Sequence, residues 1–159
     1  SADSKNKLIS RMDKVFNHER FYFLQLDQSK AKELEGIDQN FDVIIDDGSH
    51  IHGDIQLTFG TLAPKVKKGG FYFIEDLNCK RSFSNPGRSK SSLKDKLNFA
   101  TLSKIYTRDT RALLADLKFK GVFKSLFLDS EQTNFIERNF SVETIESISS
   151  GTIACLKRI

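Results

Sequence analysis

Apolar positions along the chain group into short continuous runs and one long run of helical spacing. Residues 41–46 read Phe-Asp-Val-Ile-Ile-Asp, too consecutively apolar for a half-exposed strand and suited to one covered on both faces by helices. Ile51, Ile55, Phe59, Leu62 and Val66 then recur every three or four residues. They predict one face of a helix that Pro64 or the Lys-Lys-Gly-Gly turn at 67–70 ends. Phe-Tyr-Phe-Ile at 71–74 predicts the next strand, so 41–74 reads as a strand-helix-strand unit. Such units are parallel and right-handed, which puts both strand ends on one edge of the sheet.

The flanks are read in the same way. An aromatic-rich strand is expected at 21–26, after a helix around 7–17, and Asp27-Gln28-Ser29 closes it. A short helix follows at 29–35, stopped by Gly36. Leu93, Leu97 and Ala100 predict a helix starting near residue 91 or 92, and residues 110–117 another. Residues 122–140 read ambiguously. Residues 142–148 and 152–156, separated by Ser149-Ser150-Gly151, predict a closing antiparallel hairpin. The pattern is that of an α/β fold with helices on both faces of a mostly parallel sheet.

At 159 residues, without internal repeats, the chain is expected to be a single domain over 1–159. Charged residues make up 29%, and no apolar run approaches the roughly 18 residues that a membrane-spanning helix needs. Residues 1–11 are polar and do not resemble a signal peptide, so a cytoplasmic location is expected. Cys79 and Cys155 are too few and too far apart for a disulfide framework or a zinc site, and read as reduced thiols. The net charge of +4 permits anionic partners. Its one local concentration, Lys80, Arg81, Arg88 and Lys90, lies in a Ser/Asn/Pro/Gly-rich stretch, 79–92, that reads as a mobile basic loop. The aromatic residues sit on expected core strands and do not interleave that loop, which argues against nucleic-acid binding.

Chemistry concentrates at the two expected strand ends. One delivers Asp46 and Asp47, followed by Gly48, Ser49 and His50; the other delivers Glu75 and Asp76. Ligands of parallel sheets bind beyond the carboxyl ends of the strands. Convergent Asp47, Glu75 and Asp76 carboxylates suit a hard divalent cation such as Mg²⁺. Acids at such places also cap or charge-stabilise the following helix, a reading open to Asp46 for the helix near Ile51. His50, three residues beyond Asp47, is a reasonable proton acceptor near neutral pH, whereas His18 and His52 read as exposed or structural. An alcohol with a pKa near ~15.7 stands about nine units above an imidazole near ~6.5. That gap is about 12 kcal/mol. A metal on the substrate oxygen would narrow it, so base and metal together make an oxygen nucleophile reasonable.

The string Asp-Val-Ile-Ile-Asp-Asp-Gly-Ser-His, the Lys-Lys-Gly-Gly-Phe-Tyr-Phe-Ile-Glu-Asp-Leu that follows the helix, and the earlier Asp-Gln-Ser resemble the macrolide-sugar O-methyltransferases and their cephalosporin-hydroxylase-like relatives. These are class I S-adenosylmethionine-dependent enzymes. The resemblance covers residues 21–78 well, the hairpin at 145–157 weakly, and nothing nameable between 80 and 140. It implies a Rossmann-like sheet, S-adenosylmethionine and Mg²⁺ as cofactors, and a sugar or other small hydroxylated molecule as acceptor. It further implies Asp47, Glu75 and Asp76 as metal ligands and His50 as the general base. Asp27, Gln28 and Ser29 would line the adenine pocket, and Asp46 would face the cofactor or support the metal shell.

One departure from the family is large. Its members begin with a strand, a glycine-rich turn and a second strand ending in a ribose-binding acid, yet no glycine here precedes Gly36. The expectation is therefore the carboxyl-terminal portion of a methyltransferase fold, with a sheet edge that another strand or a second copy of the chain covers. A truncated, non-catalytic binding module is the rival reading. A metal-dependent hydrolase or hydroxylase that reuses the carboxylates is the third.

Overall fold

A computed structural model of the chain describes residues 18–78, 110–148 and 151–159. The expected helices around 7–17 and from 91 or 92, the basic loop at 79–92 and Cys79 lie outside the described residues. Helix α1 (Ala31–Glu35) precedes β1 (Phe41–Asp46), α2 (His52–Leu62) and β2 (Val66–Ile74); α3 (Thr110–Lys120), α4 (Ser130–Asn139), β3 (Phe140–Ile148) and β4 (Gly151–Arg158) complete the order. One four-stranded sheet has the order β1-β2-β4-β3. β1 and β2 are parallel, with Val43 opposite Phe71 and Asp46 opposite Ile74. β4 runs antiparallel to both β2 and β3. The parallel part is thus the expected β1-α2-β2 unit, and the antiparallel part is the expected hairpin.

Tyr72, Ile74, Ala154 and Leu156 point to one face and are fully buried. Ile55, Phe59 and Leu62 of α2, Leu113, Leu114 and Leu117 of α3, and Ile136 of α4 join them in one core. Phe59 is its centre, with edge-to-face contacts to Tyr72 at 4.8 Å, Phe140 at 5.4 Å and Phe123 at 5.7 Å. α2 carries the predicted apolar face, and Val66 from the same series opens β2 instead of ending the helix. His52 has the structural role expected of it. It is buried, and its Nδ1 stands 3.1 Å from the Thr110 hydroxyl and 3.2 Å from the Thr110 amide, tying α2 to the start of α3.

Several expectations are corrected. Residues 21–26 form no strand, and Phe21, Tyr22, Phe23, Leu24 and Leu26 are all exposed. Aromatic content favours a pleated, half-buried surface, but a strand also needs a neighbour to pair with, and no pairing of this segment exists among the described strands. β1 is not covered on both faces: it lies at the sheet edge, and Val43 and Ile45 are 48% and 62% exposed. Lys-Lys-Gly-Gly is not a terminating turn but the first half of β2, entered through a 3-10 turn at Ala63–Lys65 that holds Pro64. Gly69 takes φ +82, and at Gly70 a Cβ would lie 2.6 Å from the Asp42 carbonyl, so the glycines let β2 approach β1 where the register shifts between Phe41 and Val43. The ambiguous 122–140 stretch contains α4, which opens on a capping box. Asp129 accepts from the Gln132 amide at 2.8 Å, and the Asp129 amide donates to Gln132 Oε1 at 3.2 Å. Among the described residues, no helix is long and apolar enough to cross a membrane.

Candidate metal and base site

Parallel pairing brings the carboxyl ends of β1 and β2 side by side, and the Glu75 amide prolongs the ladder by donating to the Asp46 carbonyl at 3.0 Å. Beyond that point both chains turn sharply. His50 and Asp76 adopt φ of 55 and 51, the left-handed region that residues with a Cβ seldom enter. Such residues persist where the surroundings hold them, and they cluster at functional sites. Both turns are held from outside. The Ser49 hydroxyl donates to Asp54 Oδ2 of α2 at 2.8 Å, and the Leu77 amide, just past Asp76, donates to the Thr152 carbonyl of β4 at 2.9 Å. Thr152 also pairs with the Asn78 and Ser147 side chains.

These turns aim three side chains at one point. His50 Nε2 stands 3.8 Å from Asp47 Oδ1 and 3.8 Å from Asp76 Oδ2. One ligand atom from each of Asp47, His50 and Asp76 lies within 4.8 Å of the others. Octahedral Mg²⁺ with oxygens at ~2.1 Å sets neighbouring ligands ~3 Å apart and opposite ones ~4 Å apart, within reach of small side-chain rotations. The donor chemistry also fits. Two hard carboxylates face solvent, with side chains 62% and 47% exposed, which leaves room for the waters that Mg²⁺ retains. Glu75 is half-buried next to Asp76, and its carboxylate is not part of this group.

Asp46 lies behind the cluster. It is buried, and its carboxylate accepts from Gln28 Nε2 at 2.9 Å and from the Tyr72 hydroxyl at 3.4 Å. Burial pushes its pKa up to about 6, against the opposing pull of the hydrogen bonds from Gln28, the Gly48 amide and Tyr72. Burial, and then the charge of Asp46, push the Tyr72 hydroxyl well above its ordinary range. Asp27 and Ser29, the neighbours of Gln28, are exposed and hydrogen-bond each other. Asp27 Oδ1 accepts from the Ser29 amide at 3.1 Å and its hydroxyl at 2.7 Å. The two Ser29 bonds, then Lys30, hold the Asp27 carboxyl below its ordinary range.

Two glycines belong to the site although sequence reasoning did not place them there. A Cβ at Gly48 would overlap the Gln28 carboxamide, and one at Gly151 would overlap Asp76 Oδ1. Gly48 lies inside the Asp-Asp-Gly-Ser-His string, which was a signal; Gly151 read only as a hairpin turn. Tyr72 looked like any core aromatic, and nothing in its neighbourhood announced the bond to Asp46.

No family model matches the chain. A tetracenomycin-derivative 3'-O-methyltransferase of Streptomyces olivaceus is 45% identical over 64 residues, 38% of this chain and 16% of that protein. The mycinamicin VI 2''-O-methyltransferase of Micromonospora griseorubida is 43% identical over 70 residues, 42% of this chain and 18% of that protein. The chain thus spans less than a fifth of the length of these curated relatives. Among solved structures, the methyltransferase MycE in complex with Mg and S-adenosylhomocysteine superposes with a TM-score of 0.52 at 23% identity, over 89% of this chain and 34% of that one. The same enzyme with Mg, S-adenosylhomocysteine and mycinamycin VI gives 0.50 at 25% identity, over 85% of this chain and 31% of that one. The likeness extends over most of the chain and is one of fold. Over about two fifths of its length the chain is thus similar in sequence to curated O-methyltransferases, and its mixed α/β fold is similar to that of the methyltransferase MycE.

Proposed function

We propose that the chain carries the acceptor-activating site of a Mg²⁺-assisted, S-adenosylmethionine-dependent O-methyltransferase acting on a hydroxyl of a sugar or another small molecule. The observation that carries this reading is the convergence of Asp47, His50 and Asp76 from two neighbouring strand ends. The relatives are sugar O-methyltransferases, and MycE was crystallised with Mg and S-adenosylhomocysteine, which supports the same cofactors here.

In this reading Asp47 and Asp76 hold Mg²⁺, and Glu75 joins them only if its side chain turns toward the cluster. The ion supplies the Lewis acidity that brings a hydroxyl within reach of an imidazole. His50 Nε2, beside both carboxylates, would take the proton of the acceptor hydroxyl, and S-adenosylmethionine, when bound, would supply the methyl group and carry away the leaving sulfur. The two acids then face the imidazolium and stabilise it. Asp46 stays behind the reacting groups and supports the turn that bears Asp47 and His50. Pairing of a second copy along β1 is the association that the exposed edge supports.

Titration calorimetry of the chain with Mg²⁺ and with S-adenosylmethionine is the direct test. The expected outcome is Mg²⁺ binding that Asp76→Asn weakens at least tenfold, about 1.4 kcal/mol. Binding of neither ligand would favour a non-catalytic module. With the site loaded, His50→Ala should abolish methyl transfer and spare cofactor binding; surviving turnover would show that another group is the base.

A further inference from the structure

We infer that Gln28 is a positioning residue for the Asp47–His50 turn, and that this role, not recognition of adenine, is why a glutamine stands there. The inference rests on the metal-and-base reading above. From residue 18 through residue 30, every residue is exposed except Gln28. Its side chain reaches across to the end of β1, where both ends of the carboxamide are used. Nε2 donates to Asp46 Oδ1 at 2.9 Å, and Oε1 accepts from the Ser49 amide at 2.7 Å. One planar group therefore spans the turn from the residue before Asp47 to the residue before His50. The amide donates to the carboxylate from one end and accepts from the backbone N–H at the other, whereas a glutamate would set two carboxyl groups against each other.

The fit is close. The carboxamide lies over Gly48, where any Cβ would displace it. The turn needs such support because His50 leaves it at φ 55. Partners of this kind, one shell away from a metal, fix the orientation of the ligands, and their loss typically weakens metal affinity by ~10–100-fold. Gln28 thus couples the 27–30 segment to the geometry of Asp47 and His50 without touching the reacting groups.

Two variants of the full chain separate this role from a structural or nucleotide-binding one. Gln28→Ala removes the carboxamide. Gly48→Ala keeps every hydrogen-bonding group but drives the flexible glutamine side chain out, at a position whose backbone an alanine accepts. Each is titrated with Mn²⁺ alone, with bound ion read by electron paramagnetic resonance, while hydrogen exchange reports the Ser49 amide. Both variants should weaken Mn²⁺ binding by about tenfold or more and speed Ser49 exchange, with binding of S-adenosylhomocysteine unchanged. Wild-type Mn²⁺ affinity in both variants would overturn the inference, as would loss of S-adenosylhomocysteine binding with Mn²⁺ affinity intact. If the unsubstituted chain binds no Mn²⁺, the metal reading fails by itself. Ser49 exchange then decides the clamp, and unchanged protection in both variants refutes it.

Discussion

Asp46 and Asp47 are neighbours in the chain, yet the fold gives them opposite environments. Asp47 faces solvent beside His50, whereas Asp46 is buried under Gln28 and Tyr72. A carboxyl raised to about 6 from 3.8 keeps its proton longer in the folded than in the unfolded state. Its stabilising effect is therefore complete below about pH 4 and is lost as pH rises through about 6. The difference amounts to about 3 kcal/mol. Asp46→Asn, which stays neutral and still accepts from Gln28, should flatten the pH dependence of the thermal midpoint between pH 4 and 7, measured with a chelator present. An unchanged slope would assign that titration to another group. The acid pairs were legible in the sequence because they follow apolar runs. Which acid of each pair faces the site was not, because that depends on the turn each strand takes after its last paired residue.

Elements matter here through their ends. The β3–β4 hairpin supports Asp76 from below, and Gly151 leaves room for that carboxylate. Gly151→Ala should weaken Mg²⁺ binding about tenfold, as loss of a supporting partner does, and destabilise the fold by about 1–3 kcal/mol through overpacking. Calorimetry and urea denaturation read the two effects separately, and unaltered Mg²⁺ binding would remove the hairpin from the site. Helix α4 makes a contrasting case. Its capping box, Asp129 with Gln132, was readable as a pattern, but the helix has a single buried residue, Ile136, so apolar periodicity was too thin to reveal it. Asp129→Ala should lower stability by about 1 kcal/mol, measured by urea unfolding, with metal binding untouched. Strand pairing explains the opposite error at 21–26. Despite its high β propensity the segment pairs with none of the described strands, and propensity without a partner makes no strand.

At the scale of the whole molecule, the two faces of the sheet differ. One carries the core around Phe59; on the other, Val43 and Ile45 of the edge strand stand open. An edge strand with apolar, exposed side chains is a pairing and aggregation surface. Ile45→Lys should leave monomer stability within about 0.5 kcal/mol and reduce self-association in sedimentation or light-scattering measurements. A loss of several kcal/mol would instead show that Ile45 is covered in solution. The chain matches less than a fifth of its curated relatives' length.

Sequence alone determined the β1-α2-β2 unit, the closing hairpin and the two acidic strand ends, because period, turn chemistry and strand-helix handedness are local or nearly so. Tertiary structure decided that Asp47, His50 and Asp76 meet while the Glu75 carboxylate stays outside the group, and that Asp46 is buried. It also decided that Gln28 and Gly151 hold the two turns. Those outcomes depend on left-handed backbone at two residues and on contacts between segments that lie 18 to 75 positions apart, from Gln28–Asp46 to Asp76–Gly151. No local pattern encodes them.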